Sequence, residues 1–88
     1  MEDFLRNLGI TISGTYTDEG AYSIDIRDDR EYSRIFNLLE KSSKVEQLED
    51  TSTVNYENAN VMFGSDNYIL NLIADWDNNI YKLVCTEV

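Results

Sequence analysis

Two stretches near the C-terminal end, Tyr68 to Trp76 and Ile80 to Val88, carry apolar residues on both parities and stand three residues apart. A strand that is apolar on both sides suits the middle of a sheet. Asp77-Asn78-Asn79 between them suits a tight hairpin. The rest of the chain therefore has to build a sheet around this pair.

The remaining segments supply what such a sheet needs. Residues 2–8 read as a short helical turn with Phe4, Leu5 and Leu8 facing one way. From Gly9 the period becomes two: Ile10 and Ile12 alternate with polar residues, and Gly14 interrupts before Tyr16. Thr17-Asp18-Glu19-Gly20 is a turn, after which Tyr22, Ile24 and Ile26 alternate with Ser23 and Asp25. The spacing predicts a β-hairpin over roughly 10–26. Asp28 and Glu31 form a capping-box pair, followed by Tyr32, Ile35, Phe36 and Leu39 at i, i+3, i+4 and i+7. This pattern predicts a helix over 29–42. Residues 46–50 read as an acidic connection. A strand follows from about 52, but its phase slips: Val54 and Tyr56 share one parity, while Ala59, Val61 and Phe63 take the other. A bulge near Glu57-Asn58 repairs the slip. Gly64 to Asn67 is a turn. The expected order is (short α)-β-β-α-β-β-β. This is an α+β fold, one amphipathic helix packed on a four- to five-stranded, mainly antiparallel sheet, with residues 1–88 as a single acidic domain.

Charge narrows the function. Seventeen Asp and Glu against seven Lys and Arg leave a net charge of −10 on 88 residues. Leu, Ile, Val and Phe nevertheless number twenty-four, enough for a small core, so the acidity does not imply disorder. An excess of carboxylates opposes direct binding to a phosphate backbone. The chain has no histidine, which removes the commonest general base and metal ligand. One cysteine allows no internal disulfide. The acidic N-terminal residues and the lack of a ten-residue apolar run point away from export or membrane insertion, so a cytoplasmic protein is expected.

The candidate chemical motifs have simpler structural readings. Asp75-Trp76-Asp77-Asn78-Asn79 has the opening spacing of a calcium loop. Ile80 stands where that loop needs Gly, and Thr86 where it needs Glu. Cys85 lies in an apolar strand with no His to activate it, and reads as a small hydrophobe. Ser65 after Gly64 lacks triad partners, and Ser42 and Ser43 sit at a helix end. Paired carboxylates of the glycosidase kind need a cleft that a domain of this size rarely builds. No catalytic residue, cofactor site or metal site is predicted.

The acids themselves are unevenly placed. Residues 27–44 balance at +1, whereas residues 1–26 carry −4 and residues 45–88 carry −7. Most of the excess falls in turns. A fixed array of carboxylates on a folded sheet is a candidate surface for a basic protein partner. The candidate contacts are Asp18, Glu19, Glu49, Asp50, Asp66, Asp75 and Asp77, with Tyr16 and Trp76 as aromatic anchors.

In size, acidity and lack of a catalytic constellation the chain is similar to phage-encoded inhibitors that imitate DNA, among them anti-CRISPR and anti-restriction proteins. The resemblance is compositional and rests on no motif. It implies a non-enzymatic inhibitor or regulator that occupies a basic surface of a nucleic-acid-binding protein. Two alternatives stand beside it: an immunity protein neutralising a basic toxin, and a small structural subunit that pairs with itself as a homodimer.

Overall fold

Asp28 starts the long helix as the sequence predicts. Its Oδ1 accepts the Glu31 backbone N–H at 2.9 Å, satisfying one of the free donors at the helix start. The second half of the box is replaced by a local pair, with the Glu31 carboxylate accepting Arg34 Nε at 3.2 Å. In the computed structural model, which describes residues 1–50 and 58–88, helix α2 spans Asp29–Lys41 and buries Tyr32, Ile35 and Leu39. A shorter helix, α1 (Glu2–Asn7), precedes it and buries Leu5.

The sheet has six strands, where four to five are expected: β1 (Thr15–Tyr16), β2 (Tyr22–Ile26), β3 (Glu46–Asp50), β4 (Asn58–Gly64), β5 (Tyr68–Asp75) and β6 (Ile80–Glu87). Their spatial order is β1-β2-β6-β5-β4-β3, and every pairing is antiparallel. The hairpin of β5 and β6 is central.

The added strand is β3, read from sequence as a connection. It pairs along β4, with a register shift between Gln47 and Glu49. The N-terminal hairpin is shorter than the predicted 10–26, because only Thr15 and Tyr16 pair with β2. Ile10 instead donates its N–H to the Leu5 carbonyl at 3.0 Å, so the chain there continues the end of α1. Gly14 donates to Tyr22 Oη at 2.8 Å, and a Cβ at Gly14 would stand 2.3 Å from the Ser23 carbonyl oxygen. Only glycine allows that approach. Val54, Tyr56 and the Glu57 half of the predicted bulge lie outside the described residues.

Both helices lie on one face of the sheet. Inward side chains from four strands fill the space beneath them: Ile24, Leu83, Leu72 and Val61 form one cross-strand row, and Tyr22, Cys85, Leu70 and Phe63 the next. Phe4 of α1 stacks on Tyr68 with ring centroids 4.5 Å apart. Lys44, just past α2, reaches the end of α1 by donating to the Asn7 carbonyl at 3.0 Å. No helix among the described residues is long and apolar enough to cross a membrane.

Candidate functional site

Strand register decides where the candidate acids go. The turn carrying Asp18 and Glu19 and the turn carrying Asp66 close the same end of the sheet. The turn carrying Asp77 closes the opposite end, across the seven steps of β5, about 24 Å at ~3.4 Å per residue. Glu49 and Asp50 sit between, on the β3 edge. The nine candidate residues therefore do not converge on one surface. Two turn clusters and one edge carry them.

Each turn has its own local chemistry. In the first, Thr17 donates its backbone N–H to the Ala21 carbonyl at 2.7 Å, and Gly20 takes the left-handed conformation (φ 86) that closes it. Asp18 and Glu19 are exposed there. Tyr16 beside this turn is 54% exposed, with its ring 4.9 Å from that of Tyr22. Burial, and then the nearby Glu2 carboxylate, hold its phenol above the ordinary value. In the turn that holds Asp66, Ser65 Oγ accepts the backbone N–H groups of Asn67 and Tyr68 at 3.4 and 3.2 Å. That serine is occupied in building the turn.

Asp75 differs from the other acids. It is half-buried, and its two carboxylate oxygens accept the Asn78 backbone N–H at 3.3 Å and the Asn78 side-chain amide at 2.8 Å. The calcium-like spacing thus closes a hairpin, with Asn79 in the left-handed region (φ 53). Trp76 is 37% exposed and packs edge-on against Tyr32, with centroids 6.1 Å apart. It is partly a structural residue. Among the described residues, no group of three His, Cys, Asp or Glu stands close enough to hold a metal ion. Cys85 is fully buried, and burial pushes its thiol up to about 11.

Cations gather on the helix side and are partly committed there. Arg27 Nε stands 3.4 Å from Asp28, and Arg34 pairs with Glu31. The backbone N–H of Glu31 and the adjacent Arg27 hold the Asp28 carboxyl below the usual carboxylate range, and Arg34 does the same for Glu31. On the sheet, the Lys82 ammonium lies 3.9 Å from Asp25. Asp18, Glu19, Glu49, Asp66 and Asp77 take part in none of the four ion pairs found among the described residues.

The face of the sheet turned away from the helices holds a further set of acids. Paired residues on neighbouring strands share a face, so Glu46 beside Gly64 and Glu49 beside Met62 lie on this open face, as do Asp25 and Asp75. Sequence reasoning chose acids by their place in turns and so missed Asp25 and Glu46. The alternation in Tyr22–Ile26 was the available signal for Asp25. Glu46 had none until β3 acquired a register.

No protein-family model matches the chain, and no curated protein or solved structure matches it either.

Proposed function

We propose that the chain is a non-enzymatic inhibitor or regulator that occupies the basic, nucleic-acid-binding surface of another protein, as phage-type DNA mimics do. One observation supports this most directly. Among the described residues, the exposed carboxylates of Asp18, Glu19, Glu49, Asp66 and Asp77 take part in no ion pair, while most cations lie on the helix side. Such an asymmetric charge steers a cationic partner toward the sheet and replaces its phosphate contacts with carboxylate contacts.

The test is competition. Fluorescent duplex DNA bound to a panel of basic DNA-binding proteins should be released by the chain, with potency falling steeply between about 50 and 200 mM salt. Asp77→Lys and Asp66→Lys, at opposite ends of the sheet, should each weaken release if that end is used. Asp75 is unsuitable for this purpose because it builds its turn. Failure to release duplex from any member at low salt would remove the proposal.

A further inference from the structure

Both parities of β5 and β6 are apolar, yet the helices cover only one of them. On the open face Ile69 and Ile73 of β5, Val84 of β6 and Met62 of β4 remain half-buried, and no described element crosses them. Leu48, 48% exposed, extends the patch: a Cβ on Gly64 would meet Leu48 Cδ1 at 2.7 Å and Ile69 Cδ1 at 3.4 Å, so both side chains border the glycine on this face. At the centre stands Asn71, level with Val84 and Met62 across the strands and flanked by Ile69 and Ile73 along its own. Its side-chain amide makes no hydrogen bond with the described residues. The acids Glu46, Glu49, Asp25 and Asp75 surround this group, with Lys82 beside Asp25.

Apolar side chains around the Asn71 amide, with Asn60 and Lys82 on either side of Ile73 and acids at the border, have the mixed anatomy of a protein interface. Its dimensions select the occupant. Three strands at ~4.8 Å spacing and the four steps from Ile69 to Ile73 give a patch about 10 Å by 13 Å. That fits the width of one helix and about nine residues of its length. A second copy of the chain would bring another −10 and another acidic border against this one.

We propose that this open sheet face docks a basic amphipathic helix of a partner protein, with the apolar stripe of the helix on Met62, Ile69, Ile73 and Val84. A polar side chain of the helix meets Asn71, and flanking Lys and Arg meet the acidic border. The inference rests on the reading that the acid excess meets a basic protein, and it names the part of the surface that gives the contact its specificity.

Two synthetic probes of equal positive charge decide the matter: a Leu/Lys helix with Leu at i, i+3, i+4 and i+7, and an oligolysine. The full chain is titrated with each in about 0.15 M salt, and the side-chain methyl resonances are followed. The Leu/Lys helix should bind at least about tenfold tighter, shifting the methyls of Met62, Ile69, Ile73 and Val84 and the amide of Asn71. Ile73→Asn should remove that advantage and leave the oligolysine affinity unchanged. If that variant does not fold, Val84→Ser and the wild-type shift map serve instead. Equal affinities with shifts confined to the turns would overturn the inference and leave the acid-binding reading standing. Absence of binding by both probes at low salt would overturn both. A sedimentation dimer with these methyls at its interface would assign the face to a second copy and overturn the proposal.

Discussion

The two faces of the β5–β6 hairpin are made from the same strands and nearly the same residue types, but their environments differ. Leu70, Leu72, Leu83 and Cys85 have no measurable exposure beneath the helices, while Ile69, Ile73 and Val84 on the reverse keep part of their surface in water. An apolar pattern therefore states what a strand could bury. Which parity is buried depends on where the other elements lie. The sharpest way to break this comparison is a pair of truncations one residue apart. Leu72→Ala should cost about 2–5 kcal/mol, comparable with the whole stability of a domain this small, about 3–5 kcal/mol. Ile73→Ala should cost less, about 1–2 kcal/mol, because part of its side chain already lies in water and its truncation leaves no enclosed cavity. Urea unfolding midpoints measure both. Equal losses would mean that the open face is already covered in solution.

A second test moves one thiol between the faces. Cys85 is buried, and its thiol, pushed up to about 11, holds little thiolate at pH 8. In Cys85→Ala/Val84→Cys the only cysteine moves one residue onto the open face. Its reaction with a disulfide reagent should be faster by roughly two orders of magnitude or more, since Cys85 must wait for the sheet to open. Equal rates in folded protein would show that the helical layer does not protect this face of β6.

What could be read from the sequence follows the same division. Elements announced by local chemistry were legible. The Asp28 cap and the spacing from Tyr32 to Leu39 placed α2 to within a residue of its observed end. The both-parity runs placed the central hairpin. β3 was not legible, because three of its five residues are acids and its only large apolar side chain is the exposed Leu48. Its pairing comes from the open backbone edge of β4, which leaves no alternation in the sequence. The opposite error occurred at Ile10 and Ile12, where period two reflects packing beside α1 and no ladder forms. The acidic character of the candidate surface was plain from composition, but its partition between the two ends of the sheet depends on strand order. Asp75 shows the remaining gap: a carboxylate chosen as a contact is instead hydrogen-bonded within its own turn.

The smallest expected effect separates the acids of the helix layer from those of the sheet. Asp28 and Glu31 are engaged by a backbone N–H and by arginines, and both carboxyls are held below the usual range. A depressed carboxyl stabilises the folded state at pH values above its unfolded pKa, about 4. That contribution is lost as pH falls through the lower folded value. Asp28→Ser preserves a helix cap but does not titrate. Wild type and variant should therefore differ by a constant amount from pH 7 down to about 5. Below about 4, wild type should lose stability relative to the variant. Glu31 is common to both proteins, so the difference isolates the cap. Thermal unfolding across that range measures it. A difference that stays flat to pH 2.5 would mean that Asp28 acts on the helix through its shape alone. The carboxylates of the helix layer would then be no more committed to stability than Asp18, Glu19, Asp66 and Asp77 in the sheet turns, which take part in no ion pair among the described residues.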